Sequence, residues 1–187
     1  MKKTFRRIHL LALSALLFAT LLTSCSKDHG PNPKPGNTPQ TSIPAPFAGD
    51  WSTNSIGLIS YWDNGSYVGS DGDIIFTVSL NSNGTAGFYG YYSGVYSGTT
   101  FYRYACTAAY KEENDGSVTI TVYPYGGEQM IGGGSKRPIG SNSLYPNRVF
   151  VLKNCTTYTQ NGKTYFSYYE LDNDGNMPDE PEVLEKL

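Results

Sequence analysis

Histidine is nearly missing from this sequence, and its placement matters more than its rarity. The 187-residue chain has two, His9 and His29, and both precede Pro46. The region from Phe47 onward therefore cannot build a Ser–His or Cys–His nucleophile. Imidazole-ligated zinc is excluded there for the same reason, and two cysteines alone do not make a structural zinc site. No metal or cofactor is expected. Cysteine is scarce too, with Cys25, Cys106 and Cys155 making up the whole complement. The longest apolar run, Leu10 to Leu22, falls short of the roughly 20 residues a spanning helix needs. Cationic charge is thin and front-loaded. Without residues 1–24, which hold Lys2, Lys3, Arg6 and Arg7, ten basic residues face sixteen acidic ones, a net charge near −6. No basic patch survives that would suit nucleic acid.

What is present begins with an address. A cationic start, a short apolar core and small residues before a cut describe a secretory signal over residues 1–24. The stretch "LLTSC" resembles a bacterial lipobox, with Cys25 as the lipidated residue. Bacterial lipoproteins carry a diacylglyceryl thioether and usually an amide-linked acyl chain, of the palmitate kind, on such a cysteine. Two or more chains give stable membrane anchoring where one does not. Ser26 in place of Asp after the cysteine points, by the enteric rule, to the outer membrane, on its periplasmic face or at the cell surface. "SKDHG" resembles the charged export tags of Bacteroidetes surface lipoproteins. Residues 26–46 hold six of the eleven prolines and almost nothing apolar. A segment of that kind is a semi-rigid spacer of about 3.1 Å per residue, reaching up to about 60 Å. Residues 25–46 are thus expected to be anchor and tether, and 47–187 a single domain of ordinary size.

Within that domain strand signals dominate. "DIIFTVSLNSNGTAGF" puts Ile74, Phe76, Val78 and Leu80 on one face and Ile75, Thr77 and Ser79 on the other, the alternation of a half-buried strand. Asn83-Gly84, Asp115-Gly116 and Asn161-Gly162 supply the positive φ angles of tight hairpins. Val118, Ile120 and Val122 are expected to face inward. Short strands with hairpin turns and no helical period predict an all-β fold, an antiparallel up-and-down barrel with a β-sandwich as the alternative. Gly126 to Asn147 reads as a long flexible Gly-rich connection, and "DEPEVLEKL" as a short helix or a frayed tail. Cys106 and Cys155, in an oxidising compartment, favour a disulfide over two separate buried thiols.

The motif "GDW" at Gly49 to Trp51 resembles the Gly-x-Trp that opens the first strand of a lipocalin. "IIFTVSLNSNGTAGF" and "DGSVTITVYPYGG" are similar to the hairpins of lipocalin-like lipoproteins of Bacteroidetes. The resemblance implies a lipocalin-like barrel on a lipid anchor. In lipocalins the first-strand Trp packs against an Arg near the last strand. Here "KTYFSYYEL", read as the final strand, has no Arg, and the nearest candidates are Arg103 and Arg148.

Little else carries chemistry. "GGEQMIGGGSK" lacks the Gly-Lys-Ser/Thr order and the strand-to-helix setting of a phosphate loop. "YELDNDGNMPDE" resembles a calcium loop, but Pro181 stands where a bidentate Glu is required. Asp71 with Asp73, and Glu170 with Asp172, are carboxylate pairs beside turn signals, where acids are expected anyway. An enzyme would need two carboxylates converging in a pocket with perturbed protonation; the expectation is that this is not an enzyme. Tyrosine stands out. All sixteen follow Pro46 and nine fall between Tyr89 and Tyr125. Tyr102, Tyr104, Cys106, Ala108 and Tyr110 share one strand face. Tyrosine is common on strands for packing reasons alone, but its ring and polar tip suit stacking against sugars or heterocycles. Tyr102, Tyr104 and Tyr110, with Trp62, are the candidate ligand contacts. The expectation is a membrane-anchored binding module for a small apolar or sugar-like ligand. The alternative is an accessory subunit that contacts an envelope protein through outward tyrosines. Whether the tyrosines face the lumen or the solvent separates the two.

Overall fold

The computed structural model describes residues 35–54, 58, 74–94, 98–132 and 134–187. The signal segment, Cys25, Trp62, Asp71 and Asp73 lie outside them. Among the described residues, alternating β-rich sequence gives nine strands: β1 (Gly49–Ser52), β2 (Ile74–Leu80), β3 (Thr85–Gly94), β4 (Gly98–Glu112), β5 (Val118–Ile131), β6 (Arg137–Pro138), β7 (Phe150–Gln160), β8 (Lys163–Glu170) and β9 (Glu182–Lys186). Every pairing is antiparallel. All but β6 form a closed ring in chain order, β1-β2-β3-β4-β5-β7-β8-β9, with β9 returning to β1. This is an eight-stranded up-and-down barrel of the lipocalin-like kind. Closure removes the free edges that an open sheet would leave.

The three turn signals act as their chemistry requires. Asn161 and Gly162 both have positive φ (52° and 77°) in the two-residue β7–β8 hairpin. Gly84 and Gly116 take φ near 80° at the β2–β3 and β4–β5 turns, where Asn83 and Asp115 bond the backbone two residues on.

Each strand carries a gradient along its inner face. At the floor the side chains are aliphatic or small: Leu80, Ala86, Ala108, Ile120, Leu152 and Leu184. Phe47, Trp51 and Phe166 complete this end, with Phe166 between the other two at 6.0 and 5.5 Å. The Trp51 indole N–H donates to the Phe47 carbonyl at 2.9 Å. Higher up, the inner face turns aromatic, and at the mouth it turns either charged or exposed.

Five expectations need correction. The tail "EVLEK" is neither helix nor frayed end. It is β9, which closes the barrel between β8 and β1, because Leu184 has a pocket opposite Phe166 to fill. Gly126 to Asn147 is not a loose loop. Its first third extends β5, Arg137–Pro138 pairs back onto β5, and Tyr145 N–H donates to the Pro124 carbonyl at 2.7 Å.

The segment expected to be tether up to residue 46 is in part packed onto the barrel. Thr41 N–H bonds the Ala108 carbonyl and Ile43 N–H the Ser82 carbonyl, while Ile43 is buried in the floor of the core. The Thr107 hydroxyl donates to the Pro39 carbonyl at 2.8 Å. A barrel needs a lid for its apolar floor, and this segment supplies it.

Cys106 and Cys155 are free, buried thiols and not a disulfide. Cys106 is on β4 and Cys155 on β7, with β5 paired between them. Two strand spacings already amount to about 9.5 Å, beyond the ~7 Å Cα separation that a disulfide tolerates.

β2 also departs from the half-buried pattern. Its outer face is buried as well, because Leu58 packs there on Ile75, Tyr91 and Phe101, and its N–H reaches the Thr77 hydroxyl at 3.2 Å.

Candidate functional site

The open end of the barrel holds a cavity of about 310 Å³. Its aromatic wall comes from four strands: Phe76 on β2, Phe88 on β3, Tyr102 and Tyr104 on β4, and Phe150 on β7. Inner-face alternation puts them at one level. Phe88 stacks on Phe150 at 4.8 Å, the planes 9° apart, and lies nearly parallel to Tyr102 at 6.4 Å. Tyr104 meets Phe150 and Tyr102 edge to face at 5.8 and 5.7 Å. Such ring pairs add ~0.5–1.5 kcal/mol each beyond the area they bury, so the wall is held in place without a ligand.

Glycine shapes this wall at one position. Gly90 faces Tyr102 across β3 and β4, and a Cβ there would overlap the Tyr102 ring. The ring lies over the glycine, which leaves the centre of the cavity open.

Polar groups gather on the opposite side. Tyr168 and Glu170 follow Phe166 up β8, Glu182 stands opposite Tyr168 on β9, and Arg148 precedes β7. The Arg148 guanidinium lies over the Phe150 ring at 4.8 Å. Among the described residues, none of the salt bridges involves Arg148, Glu170 or Glu182. Burial pushes the Glu170 carboxyl above the usual range; Arg148 pulls it down and Glu182 pushes it up. Burial also raises Tyr102, to about 12, and Tyr168 further still. Tyr104 is raised by burial, partly offset by Arg148 and by a hydrogen bond with Ser143 on the rim.

The sequence placed Tyr102, Tyr104 and Tyr110 on one face, and they do share the barrel interior. Tyr102 and Tyr104 line the cavity. Tyr110 does not, because eight residues of strand carry it to the floor, where it packs on Phe47 at 5.9 Å. Trp62 lies outside the described residues. Arg148, Phe150, Glu170 and Glu182 escaped notice as a group, since they come from three segments that only closure brings together. Glu170 had been paired with Asp172, but Asp172 points away from that use. Its carboxylate accepts the N–H groups of Asp174 and Asn176 at 2.9 and 2.8 Å in a local turn. This turn also accounts for the alternating acids that resembled a calcium loop. Among the described residues no group of three or more acids, histidines or cysteines could hold a metal.

The cation expected against Trp51 is neither Arg103 nor Arg148. Lys186, on β9, places its ammonium 5.2 Å from the indole ring and reaches the Ala48 carbonyl at 3.3 Å. It was missed because β9 was not read as a strand.

No family model, curated protein or solved structure matches this chain.

Proposed function

We propose that this protein is a non-catalytic binding module that holds a small ligand in the aromatic mouth of its barrel. One observation carries the reading: Tyr102 and Tyr104 face the lumen and border open space, with the packed core confined to the floor below. Small-ligand pockets run from ~300 to 1,000 Å³ and combine apolar walls with a few polar groups. This cavity fits the small end of that range. Rings with carboxylate and guanidinium groups suit a planar or sugar-like molecule.

The location follows from the N-terminus. Cys25 would carry lipid and hold the barrel at the outer membrane, with residues 26–37 as the remaining spacer, about 40 Å at most. The resemblance to lipocalin-like lipoproteins of Bacteroidetes supports the same reading. A second reading, an accessory subunit that contacts an envelope protein, draws on the outer face of β7–β9. There Tyr158 stacks on Tyr165 at 5.3 Å beside the exposed Val183.

Native mass spectrometry of the protein purified from its own envelope tests the first reading. A retained small mass, lost in Phe88→Ala and Tyr104→Ala, is the expected result. A retained protein mass insensitive to both substitutions would favour the second. Turnover of chromogenic glycosides that depends on Glu170 and Glu182 would overturn the non-catalytic assignment, since paired carboxylates are what such hydrolysis requires.

A further inference from the structure

The two sides of the barrel mouth differ, and the difference defines a ligand class. On the β7–β9 side the inner-face positions end in Arg148, Glu170 and Glu182. On the β2–β5 side they end in one cross-strand row, Ile74, Tyr92, Thr100 and Ile131, paired in register from strand to strand. Directly opposed residues in an antiparallel sheet share a face, and this row lies two residues above Phe76 and Tyr102 on the cavity side. Ile74, Tyr92 and Ile131 are 53, 42 and 57 % exposed. An apolar lip therefore continues the aromatic wall and faces a charged lip across the opening.

The charged lip is not balanced. It has two carboxylates and one guanidinium, and the guanidinium already rests on the Phe150 ring. The Glu170 side chain is half-buried, and among the described residues none of the salt bridges holds its carboxylate. Its carboxylate borders the open cavity, and that cavity is the place from which a cationic donor can reach it. Aromatic rings complete the setting, because their faces attract cations.

Building on the pocket proposed above, we infer that its ligand is an organic cation: an ammonium or related group on an apolar or aromatic body. The charge is held between Glu170 and Glu182. The body lies against Phe88, Tyr102 and Phe150 and extends onto the Ile74–Tyr92–Ile131 lip. The raised proton affinity of Glu170 gives the pH dependence its sign. Beyond burial, two charged groups act on it, Arg148 from the segment before β7 and Glu182 from β9, while the phenols of Tyr102 on β4 and Tyr168 on its own strand feel its charge and stay neutral. Acidification protonates Glu170 above the ordinary carboxylate range of ~4.3, so cation affinity falls as the pH drops through that region.

Three probes of one shape separate the possibilities: 2-phenylethylammonium, neutral 2-phenylethanol and 3-phenylpropionate. Each is titrated into the protein while the amide resonances of the cavity strands are followed by NMR. The ammonium is expected to bind at least tenfold more tightly than the alcohol. That advantage should disappear in Glu170→Gln and shrink in Glu182→Gln and at acidic pH. Glu170→Gln removes an unpaired charge, so the fold should persist, which its circular dichroism would verify. Equal affinity for ammonium and alcohol, or tighter binding of the propionate, would overturn the charge inference and leave the pocket standing. If none of the three shifts the cavity resonances and no mass is retained in the native spectrum, the pocket reading fails with it.

Discussion

Gly90 and Tyr102 show how much a single cross-strand pair decides. The Tyr102 ring occupies the space a side chain on Gly90 would take. A Gly90→Ala change should force the ring off its position into the cavity. Overpacking of this sort costs ~1–3 kcal/mol, and it should narrow the cavity as well. Denaturant midpoints would show the loss. The double variant Gly90→Ala with Tyr102→Ala should recover part of it, because neighbours in contact do not behave additively. If the two single changes simply added, the contact would have no energetic role. The alternation of "TFYRYACTAAY" was enough to place Tyr102 and Tyr104 on a common face. It could not say that a glycine one strand away made room for one of those rings, since register is a property of the pair and not of either strand.

At the scale of elements, the β4–β5 hairpin is fastened to β7 by charge. Glu113, in the turn, bonds Lys111 on β4, the Thr119 hydroxyl at 2.8 Å on β5 and the Lys153 ammonium at 3.2 Å on β7. These hydrogen bonds, with Lys111 the largest influence, lower its carboxyl to about 2. A folded-state value below the unfolded one means stabilisation above pH ~4.3 that is lost as the pH falls toward about 2. Glu113→Gln should therefore unfold more readily than the parent at pH 6, and the difference should vanish near pH 2. Urea titrations at both values would test this; a gap independent of pH would assign the effect to packing. The Asp115-Gly116 turn was legible because turn chemistry is local. The clasp to Lys153 was not, for forty residues separate it from Glu113. β9 failed for a related reason. In "EVLEK" both Leu184 and the charged Glu182 and Lys186 face inward, toward core, mouth and floor respectively. A strand whose inner face changes character at every position has no simple apolar alternation.

For the whole molecule, closure and capping are one problem. The ring of strands leaves an apolar floor, and residues 38–48 cover it with Ile43 and Phe47. Ile43→Ala should cost ~2–4 kcal/mol, the usual range for emptying a buried aliphatic site. Removing residues 1–34 should leave the unfolding midpoint unchanged, whereas removal through Pro46 should lower it by at least as much as Ile43→Ala. Equal stability of the two truncations would restore the tether to its full expected length. The proline-rich composition of this stretch concealed its second role. Pro39, Pro44 and Pro46 are compatible with an extended spacer and equally with a strap whose other residues do the bonding.

The three hairpins β2–β3, β4–β5 and β7–β8, their turns and the inward faces of β2, β4 and β5 were determined by the sequence alone, because alternation and positive-φ turn residues act over a few positions. The lack of histidine after residue 46 is likewise a property of the sequence alone. Only the tertiary structure decided where the barrel stays open, which charges meet at its mouth, that Cys106 and Cys155 stand a strand apart, and that Lys186 covers Trp51. Each of these depends on contacts between segments distant along the chain. Such contacts exist only once backbone hydrogen bonding has fixed the register and the ring has closed.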